Sequence, residues 1–110
     1  MIRSVSDSEL MIGDIIYKGT VALTSDKILA TWCDRTVAEL RPEDFETLLE
    51  TNPEIVILGT GPSNVFAPRE LVFALARRNV GLEVMDTKAA ARTFNVLAGE
   101  GRQIAAVLYL

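Results

Sequence analysis

The sequence contains no histidine, one cysteine and three lysines. Without histidine, the chain lacks the most common general base, the most common zinc ligand and any Ser-His or Cys-His catalytic pair. The single cysteine, Cys33, has no second cysteine for an internal disulfide, so cysteine usage gives no sign of an oxidising compartment. We therefore predict no catalytic residue, no metal site and no cofactor.

Positive charge and long apolar runs are also scarce. The net charge is −4 and the sequence pI is about 4.8, so no basic stripe is present to displace counterions from a phosphate backbone, and nucleic-acid binding is disfavoured. No apolar run approaches the roughly 18 residues that a membrane span requires. Residues 1–7 lack the apolar segment of a signal peptide. These absences predict a cytoplasmic protein without a membrane span.

The sequence does contain the material for a hydrophobic core. Hydrophobic residues make up 49% of the chain and charged residues 24%, and the mean hydropathy is +0.25. Such a composition is typical of a globular protein and not of a disordered chain. A length of 110 residues is enough for one domain and too short for two. We expect residues 1–110 to form a single domain.

The first third of the chain has the pattern of short strands joined by tight turns. Two pairs of apolar segments each flank two residues that suit a hairpin turn, so we predict an N-terminal antiparallel β meander. The pairs are residues 9–12 and 15–17 around Gly13-Asp14, and residues 20–24 and 27–32 around Ser25-Asp26.

A short helix and two β-α-β crossovers are predicted next. Arg41-Pro42 suits a helix start because proline fits the first helical position, whereas residues 36–40 fit either a short strand or an irregular segment. Segments 55–58 and 104–110 are continuously apolar, as strands covered on both faces are. Gly81 is expected to end the first crossover helix with a positive φ. The predicted order is strand 55–58, helix 68–79, strand 82–86, helix 88–98 and strand 103–110.

The turn after strand 55–58 is the most informative segment. Gly59-Thr60-Gly61-Pro62 separates the strand from a helical pattern, and backbone N–H groups at such turns gather small ligands. Three interpretations stay open: a dinucleotide fingerprint, a small-anion site, or glycines that only permit a tight turn. The dinucleotide interpretation is the weakest, because Asn64 stands at the third glycine position and Pro62 has no N–H.

A second turn, Met85-Asp86-Thr87, ends the next predicted strand. Asp86 or Thr87 suits the N-cap of the following helix, and either also suits a ligand contact. If strands 55–58 and 82–86 are neighbours, both turns open at the same carboxyl edge and line one crevice. The residues predicted to bind a small anion or a nucleotide there are Gly59, Thr60, Gly61, Ser63, Asn64, Arg69, Asp86 and Thr87.

Apolar residues elsewhere predict a surface for a partner. Trp32 stands beside Cys33, and we interpret the pair as a core or interface tryptophan and a half-buried thiol. The first crossover helix is apolar on more than one side, which favours a second covering element or subunit. The predicted docking patch consists of Trp32, Val72, Phe73 and Leu75.

Five motifs occur along the second half in a fixed order, with Tyr17, Gly19 and Trp32 ahead of them. They are G-T-G at 59–61, P-x-E-L at 68–71, G-L-E-V-M-D-T at 81–87, A-x-x-T-F-N-V-L at 90–97 and E-G-R at 100–102. In this combination the chain resembles the Mth938-type domain family of unknown function, which includes mitochondrial complex I assembly factor 3 and the adipogenesis-associated Mth938 domain protein. The resemblance implies a three-layer α/β domain with a mixed central sheet, helices on one side and an extra β layer from the N-terminal strands. It implies no established catalytic activity.

Two classes of function follow from these patterns. The favoured one is a non-catalytic interaction or assembly domain, whose partner is another protein or a second copy of the chain; by family analogy, it would assist respiratory complex I assembly. The alternative is a domain or enzyme that binds a small anion or nucleotide in the predicted crevice. Its chemistry would rest on Ser63, Arg69, Asp86, Glu100 or Arg102, since histidine is absent.

Overall fold

A computed structural model describes residues 1–29 and 32–110. These residues contain eight strands and three α-helices, with two short 3₁₀ helices, Val37–Glu39 and Pro42–Phe45, between the fifth strand and the first α-helix. The strands are β1 (Ile2–Val5), β2 (Leu10–Ile12), β3 (Ile15–Tyr17), β4 (Val21–Thr24), β5 (Ile28–Leu29), β6 (Ile55–Thr60), β7 (Gly81–Met85) and β8 (Ile104–Tyr109). The α-helices are α1 (Glu46–Leu49), α2 (Arg69–Arg77) and α3 (Thr87–Gly99).

The central sheet has five strands in the order β5-β4-β8-β6-β7. Strands β7 and β8 both pair parallel with β6, whereas β4 pairs antiparallel with β8 and with β5. The sheet is therefore mixed, and the predicted α/β fold with two β-α-β crossovers is confirmed. The middle strands β6 and β8 are almost wholly buried, which explains why their sequences are continuously apolar.

The first three strands form a separate antiparallel sheet, β1-β2-β3, and confirm the predicted meander. Gly13 has a φ of +58°, which fits the first central position of a type II′ hairpin turn. Strand β1 was not predicted. The second predicted hairpin, around Ser25-Asp26, does form, but β4 and β5 join the central sheet instead of the meander. Of the predicted strand 27–32, the structure describes Ile28–Leu29 as β5, and Ala30 and Thr31 lie outside the described residues.

One face of the central sheet is covered by α2 and by the segment that contains α1. Val56 and Leu58 of β6 point to this face and pack with Leu71 and Leu75 of α2 and with Phe45, all fully or almost fully buried. Proline at the first position of the 3₁₀ helix Pro42–Phe45 confirms the predicted start of this helical segment. Residues 36–40 form the irregular alternative, with Val37–Glu39 in a 3₁₀ helix.

The opposite face is covered by α3 and by the three-stranded sheet. Ile57 of β6 packs there with Ala90 and Phe94 of α3 and with Leu10 and Ile12 of β2. Helices therefore lie on both sides of the central sheet, not on one side as the resemblance implied. The reason is the strand order: β7 and β8 flank β6 on opposite sides, so two right-handed crossovers run in opposite directions and place α2 and α3 on opposite faces.

Two further details concern the helices. The end of α2 differs from the prediction, because Asn79 and not Gly81 takes the positive φ, at +62°. Asparagine tolerates this region better than other residues with a side chain. In the described part of the chain, no helix has the length and apolar character needed to cross a bilayer.

Candidate functional site

The two predicted ligand turns open at the same edge of the central sheet. Strands β6 and β7 are parallel neighbours, with Gly59 opposite Met85, so the turns after them are adjacent, as predicted. Between them lies a hollow of about 50 Å³, which we call the glycine-turn crevice. This volume is enough for a few water molecules and not for a nucleotide. Its polar lining consists of Ser6, Asp7, Gly61, Asp86, Thr87, Lys88 and Tyr109.

The polar groups of the second turn contact other parts of the chain. The Thr87 hydroxyl accepts a hydrogen bond from the Gly61 N–H at 2.8 Å and donates one to the Tyr109 carbonyl. The Asp86 carboxylate caps α3 by accepting from the Ala89 N–H at 2.9 Å, which explains the start of this helix. These contacts connect the turn after β6, the start of α3 and the end of β8.

Thr60 makes a similar set of contacts on the other side of its strand. Its hydroxyl lies 2.7 Å from the Ser63 carbonyl and accepts from the Val65 N–H at 3.1 Å. The Thr60 hydroxyl therefore holds the loop after β6 in shape. Among the described residues, no buried side-chain nitrogen or oxygen lacks a hydrogen-bond partner.

The two glycines of the turn serve different purposes. A Cβ atom on Gly59 would lie 2.9 Å from the Thr87 hydroxyl oxygen and 3.1 Å from the Ala90 Cβ, so the absent side chain lets α3 approach β6 closely. Gly61 has a φ of +97°, which residues with a side chain rarely adopt. Both glycines are therefore explained by backbone geometry and packing, whatever else binds nearby.

The remaining predicted ligand residues lie outside this crevice. Ser63 and Asn64 are exposed in the loop before α2, and Arg69 is the exposed first residue of that helix. The structure thus brings Gly61, Asp86 and Thr87 together and leaves Ser63, Asn64 and Arg69 apart from them. Ligand binding by this set stays a prediction.

A much larger hollow, of about 610 Å³, lies on the opposite face of the sheet. We call it the Trp32 hollow. Its volume is in the range of small-molecule sites. Its walls include Trp32, Cys33, Asp34, Arg35, Val65 and Tyr109, and Tyr109 and Leu110 border both hollows.

A chain of hydrogen bonds holds the wall of the Trp32 hollow. The Trp32 indole N–H donates to the Tyr109 hydroxyl at 3.0 Å, and that hydroxyl donates to the Arg35 carbonyl at 2.8 Å. The Arg35 guanidinium pairs with Asp44 at 3.0 Å. The Trp32 ring also meets the buried Phe45 ring edge-on, with centroids 5.0 Å apart.

Tyr109 is the titratable group most affected by this environment. Burial raises the pKa of Tyr109 above its ordinary value of 10; the hydrogen bond from Trp32 acts in the opposite direction, and the charges of Cys33 and Asp44 raise it further. A neutral phenol is therefore favoured. With both its hydrogen-bonding roles already filled, Tyr109 is placed as a structural link and not as a proton donor to a ligand.

The sequence interpretation missed Tyr109 and this hollow. A signal was present, because Tyr109 ends an apolar strand parallel to β6 and so reaches the same sheet edge as Thr60, its partner in the register. Trp32 was interpreted as a core or interface residue, and the structure places it half-buried between Phe45 and the hollow.

The predicted docking patch is only partly at the surface. Leu75 is buried against the sheet and Val72 is half-buried, because the face of α2 that holds Leu71 and Leu75 packs on the core. Phe73 is exposed. The larger exposed apolar group was missed: Phe66, in the loop before α2, is 93% exposed, and its neighbour Val65 lines the Trp32 hollow. Within the described residues, no three acidic or cysteine side chains cluster as metal ligands.

Comparison with known proteins places the chain in a family. Residues 2–109 match the family described as "Protein of unknown function (DUF498/DUF598)". A structure from Xanthomonas campestris is 31% identical to this chain and has a TM-score of 0.90. The match covers 99% of this chain and 83% of the other chain. A structure from Bordetella pertussis, described as a Mth938-like domain, is 25% identical and has a TM-score of 0.81. The match covers 98% of this chain and 84% of the other chain.

Two curated relatives share shorter regions. The "13 kDa major membrane protein" of Francisella tularensis is 26% identical over 72 residues, 66% of this chain and 58% of the relative. The human "NADH dehydrogenase [ubiquinone] 1 alpha subcomplex assembly factor 3" is 41% identical over 61 residues, 56% of this chain and 33% of the relative. The chain thus spans less than two thirds of either relative. Since the family model covers nearly the whole sequence, and a neighbouring structure carries the Mth938-like description, the chain belongs to this family of unknown function.

Proposed function

We propose that this protein is a non-catalytic interaction domain that assists the assembly of a protein complex. The observation that carries the proposal is the exposed apolar surface on the crossover between β6 and β7, where Phe66 is 93% and Phe73 55% exposed. Exposed aromatic side chains in one segment are typical of sites that a protein partner covers. Hot spots of interfaces are rich in aromatic residues.

The chemistry of the surrounding residues supports the same conclusion. The hydroxyls of Thr60 and Thr87 and the carboxylate of Asp86 are engaged in contacts that hold the fold. The sequence offers no histidine as a proton-transfer residue. By analogy with the relatives named assembly factor 3, we propose respiratory complex I assembly as the specific role, and a cytoplasmic location and one folded domain over residues 1–110 as part of the same hypothesis.

The proposal is tested by site-specific photocrosslinking in native cells. A photoreactive phenylalanine analogue at position 66 is expected to capture a defined protein partner. The control is the same analogue at Val96, which is 60% exposed on α3, on the other face of the sheet. The substitution Phe66→Ser is expected to abolish co-purification of the captured partner and to leave stability unchanged within about 0.5 kcal/mol. Equal crosslinking from both positions, or none from position 66, would contradict the proposal.

The alternative proposal is a function in binding a small anion, or a nucleotide held by its phosphate group alone, since the crevice is too small for a whole nucleotide. What favours it is the juxtaposition of the two turns at one sheet edge, with Lys88 beside Asp86 and Thr87. A thermal-shift screen with phosphate, nucleotides and small carboxylates tests it, since a ligand at a hundredfold excess over its Kd adds about 2.7 kcal/mol to stability. A shift lost in Lys88→Ala but kept in Lys27→Ala would favour this alternative. No shift at millimolar concentration would exclude it.

A further inference from the structure

The two edge strands of the three-stranded sheet differ: β1 is hydrogen-bonded by a side chain, and β3 is exposed. At β1, the Asn95 side chain of α3 binds the strand as a neighbouring strand would: its carbonyl accepts from the Ile2 N–H at 3.0 Å and its amide donates to the Ile2 carbonyl at 2.7 Å. At β3, the other edge, Ile15 is 58% and Ile16 48% exposed. No proline or charged residue interrupts this strand, although exposed edges are normally guarded by such residues.

The turn before β3 determines which backbone groups face the open edge. In a two-residue hairpin loop, the N–H of the residue after the loop bonds back to the carbonyl before it, so the Ile15 N–H points toward Ile12 and β2. Successive residues of a strand alternate in direction. The N–H and carbonyl of Ile16 therefore point outward, as do those of Lys18 in an extended continuation, whereas Asp14 lies in the turn before the strand.

The sequence around this edge is self-complementary. Residues 13–19 read Gly-Asp-Ile-Ile-Tyr-Lys-Gly. If an antiparallel second copy is centred on Ile16, that residue faces its own counterpart, Ile15 faces Tyr17, and Asp14 faces Lys18 on both sides of the axis. The outward N–H and carbonyl of Ile16 fall in register for this pairing, because they meet the same groups of Ile16 in the second copy.

We propose that two copies of this chain associate through β3, in an antiparallel pairing centred on Ile16 that joins two three-stranded sheets into one. Opposite charges directly across such a pair stabilise it, and like charges destabilise it. Asp14 already contacts Arg3 at 3.2 Å, but its side chain is 95% exposed and remains accessible to a second cation. The proposed pairing through β3 is separate from the Phe66 surface, so the failure of either hypothesis would leave the other unaffected.

The strength of the association follows from its size. A few residues of paired strand bury less than the roughly 1,200 Å² of a standard stable interface. We therefore expect a concentration-dependent dimer, with a dissociation constant between about 1 μM and 1 mM. Sedimentation velocity of the full chain from about 1 μM to 1 mM is expected to show a rise in the dimer fraction across this range.

Charge-reversal variants test the register directly. Asp14→Lys places two lysines across from each other at both ends of the pairing, and Lys18→Asp places two aspartates there. Each variant alone is expected to raise the dissociation constant about tenfold. An equimolar mixture of the two restores opposite charges at both positions, so heterodimers are expected with the affinity of the original pair. The double variant Asp14→Lys/Lys18→Asp is expected to dimerise as the unmodified chain does.

Matched controls separate pairing from folding. Both side chains are exposed, so circular dichroism and Tm of each variant are expected to match the unmodified chain. Ile16→Lys is expected to abolish the dimer, whereas Val96→Lys, at another exposed apolar position, on α3, is expected to retain it. A chain that stays monomeric at about 1 mM, or single variants that dimerise as strongly as the unmodified chain, would overturn the proposal. A monomer that binds only an added extended peptide at β3 would also overturn it, in favour of a foreign strand.

Discussion

The glycine-turn crevice and the Trp32 hollow lie on opposite faces of the same sheet end, and Tyr109 borders both. The crevice measures about 50 Å³ because α3 starts directly after β7 and packs closely on Gly59. The hollow measures about 610 Å³ because the loop from residue 61 to residue 68 separates β6 from α2 on that face. The difference teaches that glycines and polar residues at the end of a strand serve packing before they serve a ligand. They are required where a helix approaches the strand most closely.

The largest expected effect is on the closed side, at Thr87. Thr87→Val keeps the shape of the side chain but removes the partner of the buried Gly61 N–H and of the Tyr109 carbonyl. Two groups left without partners cost about 2–4 kcal/mol of unfolding free energy. Urea unfolding followed by circular dichroism measures the loss. The control, Thr93→Val on the same helix, removes only a contact to the Met85 sulfur and is expected to cost less than about 0.5 kcal/mol. Equal losses would mean that Thr87 does not connect the two turns.

A smaller loss is expected where the helix approaches the strand. Gly59→Ala places a Cβ within 3.1 Å of Thr87, Leu108 and Ala90. The neighbouring atoms must shift to make room, so this overpacking is expected to lower the unfolding free energy by about 1–3 kcal/mol. Gly99→Ala is the matched control, because nothing lies within 4 Å of its added Cβ; it is expected to leave stability unchanged or to raise it by up to about 1 kcal/mol. If both variants unfold at the same urea concentration, close packing does not explain the narrow crevice.

The comparison also shows which parts of the molecule follow from local sequence patterns. Strands β6 and β8 were predicted because burial on both faces makes them continuously apolar. The hairpin at Gly13-Asp14 was predicted because few residue pairs suit its turn. Strand β1 was missed, since Ile2–Val5 is only partly buried and is held by a side chain of α3 that is 93 residues away. Such contacts leave no local pattern.

The candidate site, like the fold, was predicted where it follows from local sequence patterns. It was missed where it depends on contacts between distant segments. The adjacency of the two turns follows from parallel pairing of consecutive β-α-β strands, and the structure has it. The engagement of Thr60 and Thr87 within the fold depends on distances between elements, which spacing along the chain does not reveal. The Trp32 hollow depends on four distant segments, around residues 20, 32–38, 60–65 and 109–110. Aromatic residues at strand ends are the signal that would have located it.

The smallest expected effect is on the open side, at Tyr109. Tyr109→Phe removes the acceptor of the Trp32 N–H and the donor to the Arg35 carbonyl, but water has access to this half-buried position, so the loss is about 0.5–1.5 kcal/mol. Fluorescence of Trp32, the single tryptophan of the chain, reports the change directly. Little or no fluorescence change would show that the hydrogen bond does not fix the indole.

The pH dependence of the same variant sharpens the comparison further. Because burial raises the pKa of Tyr109 in the folded protein above 10, the unfolded chain releases this proton first as the pH rises. The stabilising contribution is fully present below pH 10 and is lost as the pH rises through the raised pKa of the folded state. The unfolding free energy of the unmodified protein is therefore expected to fall more steeply above pH 10 than that of Tyr109→Phe, since all other groups titrate in both. Parallel curves would show that the phenol is as well solvated in the hollow as in the unfolded chain, and the hollow would then be open to water down to its floor.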